Sequence, residues 1–319
     1  MIHQRRITAT PAISLLLLAC WVLPAAAATD PPITATAFAP DGRSVVAVSQ
    51  TGLHVLGWPG LKHQRTIKAA AANLHAAAFS ADGKLLAIAG GDPAEQGTVQ
   101  VFSWPDGKVV AEFGQHTDSI LSVRWLGNDQ LLTGSIDRDV KRWSLKEPKV
   151  PLQTYKGHSR AVAALQVVSD GVFVSAGDDQ SIRVWDLETS KVIRSLNQHT
   201  KLIRTTALRP TKEGLPMLAS AGSDRTIRFW QPTIGRMVRY VRLERAPLQI
   251  AWLDESRVVA ACVDGHVRVI DADEVKVVQD LPAINGWAYA VSVHPTDGSL
   301  VVAGTDGQIR RVIPAGGDK

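Results

Sequence analysis

The chain has 319 residues, 45% of them apolar and 20% charged, with 25 Gly and 17 Pro. That balance is ordinary for a globular protein and excludes a disordered or collagen-like chain, while the length allows either two average domains or one closed β architecture. The formal charge of +5 is spread thinly, with no run of five or more Lys/Arg, so a nucleic-acid or anionic-membrane partner is not expected.

Residues 1–28 open with the basic pair Arg5 and Arg6. An apolar stretch near 12–23, then Pro24 and small residues complete the three-part layout of a secretory signal peptide. The apolar stretch is shorter than the ~20 residues a membrane-spanning helix needs, so no transmembrane span is expected in the mature chain. Cleavage after Ala28, with Ala26 and Ala28 as the small residues, leaves a mature chain of 29–319 with a charge of about +3, expected to be periplasmic or secreted. A second reading stays open. Leu17-Leu18-Ala19-Cys20 resembles a bacterial lipobox, which would anchor the chain through a lipid on Cys20, although Trp21–Leu23 prolong the apolar run. With Cys20 in this segment, Cys262 is left alone and no intrachain disulfide is expected. Cys262 sits in the apolar run VVAACVDG with no cation in its sequence neighbourhood and reads as a buried, inert thiol.

From residue 33 to 313 one pattern recurs: a strand with apolar residues at relative positions 0, +3 and +5, a turn, a β-branched strand, a tight turn with Asp or Gly, and a third strand. The +5 residues are Phe38, Phe79, Trp125, Val167, Leu208, Trp252 and Val293, spaced 41–46 residues apart. That is the period of four-stranded propeller blades. The runs SVVAVSQ, KLLAIAG, QLLTGS, GVFVSAG, PMLASAG, RVVAACV and SLVVAG are short, apolar and bounded by turn residues. Near-continuous apolar strands imply sheets covered on both faces. The expectation is an all-β chain, a seven-bladed β-propeller in one domain.

Three repeats carry more than a period: HTDSILSVRW…LLTGSIDRDVKRW, GHSRAVAALQV…FVSAGDDQSIRVWDL and HTKLIRTTAL…LASAGSDRTIRFW. In these the chain resembles the WD-repeat (WD40) family, as an exported bacterial member. The resemblance implies a hydrogen-bonded tetrad in each: His116, Thr133, Asp137 and Trp143; His158, Ser175, Asp179 and Trp185; His199, Ser220, Asp224 and Trp230. A buried carboxylate needs partners, and imidazole, hydroxyl and indole N–H supply them. The same residue types would suit a Ser-His-Asp triad, but a set repeating at the blade period reads as a clasp. The other four repeats depart from the pattern. Asp264 and Asp306 keep the turn carboxylate, Ile270 and Val312 replace the Trp, Phe102 stands in the second repeat, and the first has neither His nor Asp in place. Trp58 and Trp104, each before a Pro, read as lids on the outer end of the third strand.

Family members close the ring by letting the N-terminal segment complete the last blade. Here PAGGDK is too polar and Gly-rich for a fourth strand, and Pro31 and Pro32 cannot donate to a ladder. A three-stranded seventh blade is expected, with an edge able to accept a strand from a partner. The resemblance places binding on the face with the Asp turns, where Trp287, Arg160, Lys201, Asp178 and the longer loop Asp92–Gln96 fall. Trp287 would anchor an interface or pack on its neighbour. Lys141, Arg183, Arg228, Arg268 and Arg310 form a stripe on the third strands that follows from the repeat. His54, His63, His75, His266 and His294 lie in unrelated contexts without zinc-type spacing. The functional expectation is a non-catalytic scaffold for other proteins in the cell envelope, with no cofactor and no metal. The rivals are a lactonase- or hydrolase-type propeller enzyme with a channel metal, and a small-ligand or glycan binder at the channel mouth.

Overall fold

The computed structural model describes residues 30–71, 73–210 and 214–316; the segment 1–28, with Cys20 and the cleavage site, lies outside the described residues. The first repeat shows how the sequence makes a blade. Ala35–Phe38, Ser44–Ser49, Gly52–Gly57 and Lys62–Ile67 pair antiparallel in that order. Val45, Val46, Ala47 and Val48 are all fully buried, so alternation is absent where both faces meet neighbouring sheets. The fourth strand, KHQRTI, is polar and mostly exposed because nothing lies outside it.

Among the described residues there are seven such sheets, six of four strands and one of three. Each innermost strand contacts the next, and the seventh, Ala288–Val293, contacts the first, so the sheets stand around one axis. The fold is a seven-bladed β-propeller. The helical content among the described residues is one 3-10 turn, Thr305–Gly307, and no helix is long and apolar enough to cross a membrane.

The core is divided among the seams between blades. Seven hydrophobic clusters each draw on two adjacent blades, as where Val46, Leu53 and Val55 meet Leu86, Ile88 and Phe102. Two seams are also tied by indoles. Trp125 donates to the Ala78 carbonyl at 2.9 Å, and Trp252 to that of Ala207 at 3.0 Å, each reaching the preceding innermost strand.

The seventh blade has the three strands Ala288–Val293, Leu300–Gly304 and Ile309–Val312, as the terminal sequences predict. Beyond Val312 the chain leaves its blade, and Ala315 exchanges two hydrogen bonds with the Gln279 side chain on blade six, at 2.9 and 3.0 Å. Side chains and loop backbone join this blade to the first. The Ile33 N–H donates to Gly304 at 3.0 Å, and the hydroxyls of Thr36 and Ser292 lie 2.9 Å apart. Trp58 stacks on His294 at 5.4 Å, with Phe38 edge-on to both rings and Arg311 over the indole.

Candidate functional site

Three polar clasps have matching geometry. Histidine Nδ1 lies 2.7, 2.9 and 2.8 Å from the carboxylates of Asp137, Asp179 and Asp224, for His116, His158 and His199 respectively. Their Nε2 atoms lie 2.7, 2.6 and 2.7 Å from the hydroxyls of Thr133, Ser175 and Ser220. Trp143, Trp185 and Trp230 donate to those same hydroxyls at 2.8, 2.7 and 2.8 Å. One proton order satisfies the chain: indole N–H to hydroxyl oxygen, hydroxyl to Nε2, Nδ1–H to carboxylate. Each Asp also accepts backbone N–H groups, from Thr117, Ser159 or Thr200 on the entry loop and from its own turn. The residue after each Asp, Arg138, Gln180 or Arg225, has positive φ, which completes the tight turn.

Burial alone would raise the carboxyl pKa values of Asp137, Asp179 and Asp224. The histidine hydrogen bonds and turn donors outweigh it and hold all three below the ordinary range. The hydroxyls of Thr133, Ser175 and Ser220 belong to fully buried residues capped by buried indoles. Each hydroxyl is thus closed to solvent and engaged on both sides within the clasp, between imidazole and indole.

The third-strand stripe has a purpose that spacing alone does not reveal. Arg183 and Arg228 each approach the turn Asp four residues earlier at 3.7 Å, and Lys141 donates to the Gln115 carbonyl near the end of the strand Val109–His116. Where the tetrad is missing, this position does more. Arg268 grips Asp264 through two hydrogen bonds of 3.1 and 2.8 Å and reaches Asp280 at 3.1 Å. Gln100 bonds the Ala70 N–H and Glu112 in blade two. In blade one His54 bonds Ser49, Thr51 and Thr66, and Thr66 also bonds His63, which joins two histidines that look unrelated in sequence. Arg268 also corrects the reading of Cys262, because a cation does lie beside it. Burial still dominates and pushes the thiol up to about 11.

A repeated irregularity shapes the channel. In six blades the innermost strand skips one residue in its register with the second strand: His75, Leu121, Ala163, Arg204, Leu248 and Tyr289. All six line the channel mouth, since a bulge re-aims its extra side chain. Periodicity could not find them, because a bulge shifts the alternation by one.

The predicted rim residues take different places. Trp287 is 51% exposed at the mouth, with its ring 5.9 Å from Tyr289. Arg160 and Lys201 are exposed on neighbouring entry loops. Asp178 is half-buried, its N–H held by the Ala161 carbonyl. Asp92 lies in a hairpin that is longer than a loop reading implies. Strands Leu85–Asp92 and Gln96–Ser103 run to its tip, leaving only Pro93–Glu95 outside the ladder. Trp58 and Trp104 pack edge-on against the first-strand residues Phe38 and Phe79, at the end away from the rim. Two cavities of about 500 and 450 Å³ fill the channel and share the wall residues Thr36, Ala77, Arg124, Thr206 and Gln249. Among the described residues their linings hold one imidazole, His75, and no carboxylate, and no group of three or more His, Cys, Asp or Glu is placed to hold a metal.

The family model described as WD domain, G-beta repeat matches residues 107–144, 149–186 and 190–231. Three of the repeats are WD40 repeats. Each WD40 match contains one complete tetrad. It begins in or just before the outermost strand of one blade and ends with the third strand of the next, so the sequence unit straddles a seam. The chain is similar to WD-repeat proteins of eukaryotes. It is 27% identical to the methylosome protein WDR77 of Xenopus laevis over 62% of this chain and 64% of the relative. It is 25% identical to WD repeat-containing protein 1 of Gallus gallus over 86% of this chain and 45% of the relative. The transcriptional corepressor LEUNIG_HOMOLOG of Arabidopsis thaliana is 25% identical over 75% of this chain and 30% of its own length. The chain thus spans less than two thirds of the length of these relatives.

Proposed function

We propose that the protein is a non-catalytic scaffold that binds another protein on the channel-mouth rim, and that it does so after export to the cell envelope. The observation that carries the first part is Trp287. A half-exposed indole beside Tyr289, on a ring held rigid by seven seams, offers a large apolar anchor at low entropic cost. Arg160 and Lys201 supply a cationic margin. The WD40 repeats, and relatives whose names include a methylosome protein and a transcriptional corepressor, support a protein-binding reading. The edge of Ile309–Val312, unpaired among the described residues, is a second contact, able to receive an extended segment of the partner.

Export is supported by the layout of residues 1–28, with cleavage after Ala28 favoured over lipidation of Cys20. The mass of the mature N-terminus tests it. A chain starting at Thr29 is expected; a lipid-bearing Cys20 would place the protein on a membrane instead, and retained residues 1–28 would sink the proposal of export. For the partner, tagged protein is recovered from envelope extracts beside Trp287→Ala. The account expects a discrete co-purifying protein that is lost with the variant, whereas equal recovery by both would move binding off this rim.

A further inference from the structure

The waist of the channel holds a charge that the scaffold reading leaves unused. Arg124 lies on the innermost strand Ile120–Leu126, is part-buried, and lines both cavities. Its Nη1 donates to the Val123 carbonyl at 2.8 Å, and its Nε reaches Gln166 Oε1 at a marginal 3.5 Å. Those account for two of the five guanidinium N–H groups. Among the described residues no carboxylate lies within ion-pair distance, in contrast to Arg142, Arg183, Arg228, Arg239, Arg257 and Arg268. Burial holds the guanidinium below its ordinary pKa.

The surrounding wall repeats the theme. The Thr206 hydroxyl is buried without a hydrogen-bond partner among the described residues. Gln249 accepts the Val291 N–H through Oε1 at 2.8 Å, which leaves its amide N–H₂ as a donor. Arg204 adds a second guanidinium at the mouth, on a bulge that places it in the wall. A partly buried cation without a counter-charge carries part of the desolvation cost, and an unpaired buried hydroxyl adds to it. An oxyanion would satisfy both, since a guanidinium fork matches carboxylate and phosphate oxygens in bidentate fashion.

We propose that the channel waist is a binding site for a small oxyanion, the carboxylate or phosphate group of a diffusible molecule, gripped by Arg124 with Thr206 and Gln249 offering donors to the rest of it. Cavities of about 500 and 450 Å³ are of small-molecule size. The site lies below the rim in a cavity whose lining also includes Trp287 and Tyr289, and its test needs no rim partner.

Calorimetric titration of the purified chain with inorganic phosphate and, in a second arm, with succinate tests this, ionic strength being held by chloride. One arm or both should give saturable heat near one-to-one stoichiometry below ~10 mM, with a melting temperature that rises with ligand. The stronger arm tells phosphate from carboxylate. Arg124→Gln should weaken binding at least about tenfold, while Arg236→Gln on an outermost strand should not change it. Without ligand, Arg124→Met should melt no lower than the wild type, since it removes an uncompensated charge. No saturable heat in either arm, equal binding by Arg124→Gln, or a ligand-free loss of more than about 5 °C in Arg124→Met would overturn the proposal.

Discussion

Ser175 accepts the indole N–H of Trp185 and meets His158 on its other side, in a residue fully closed to solvent. Removing the indole therefore costs both a filled seam and a donor. Trp185→Phe should lose about 2 kcal/mol in chemical unfolding, whereas Trp287→Ala, at the exposed rim, should change stability by less than about 0.5 kcal/mol. Comparable losses in the two variants would contradict this assignment of roles. The same clasps set an acid limit. Asp137, Asp179 and Asp224 have folded pKa values below their unfolded values, so they stabilise the fold above about pH 4. That contribution fades as pH falls from there through the depressed values. Melting curves between pH 7 and 2 should show this decline, and Asp179→Asn should start less stable and decline less steeply. The tetrads were legible through the resemblance of three repeats to the WD-repeat motif: hydroxyl, Asp and Trp keep one spacing, while the His stands 17, 17 and 21 residues before the hydroxyl. Arg268 was not, since nothing in a strand's alternation says that a cation replaces an imidazole and an indole at the same turn.

At the scale of the strand and turn, the repeated Ser-Ala-Gly at the end of the second strand is more than punctuation. A Cβ on Gly177 would lie 1.9 Å from the Ala161 carbonyl oxygen, and one on Gly222 would lie 2.4 Å from that of Leu202. The glycine lets the entry loop cross the sheet closely enough for the Asp178 N–H to bond Ala161 at 2.9 Å. Gly177→Ala should cost about 2 kcal/mol or more by denaturant unfolding, and an unchanged midpoint would sink the close-approach account. The edge of the seventh blade has an equally local consequence. In blade six, Val267 and Val269 face the outer strand through Leu281 and Gln279. Ile309 and Arg311 occupy the equivalent places with no strand beside them among the described residues. Their amides should exchange with deuterium far faster than those of Val267 and Val269, and equal protection would mean that a further strand covers this edge. The three-stranded sheet seen among the described residues agrees with the expectation drawn from Pro31, Pro32 and PAGGDK. The channel-mouth bulges could not be foreseen, because one extra residue per strand is invisible to a pattern counted by alternation.

Across the whole molecule, the period of 41–46 residues fixed the number of blades, because sheets that cannot cover their own faces must cover each other's. The seven seam clusters realise that arrangement. What binds to the ring was less legible, since rim residues come from loops that share no motif. Among the described residues, only Trp287 combined an aromatic ring, exposure and a place at the mouth. The central claim is that this face is the working surface. Site-specific photo-crosslinking in cells tests it directly, with the reactive side chain placed at Trp287 or at Asp170, an exposed turn at the opposite end of its blade. The account predicts a discrete cross-linked partner from position 287 and none from position 170; the reverse pattern, or equal products from both, would contradict it.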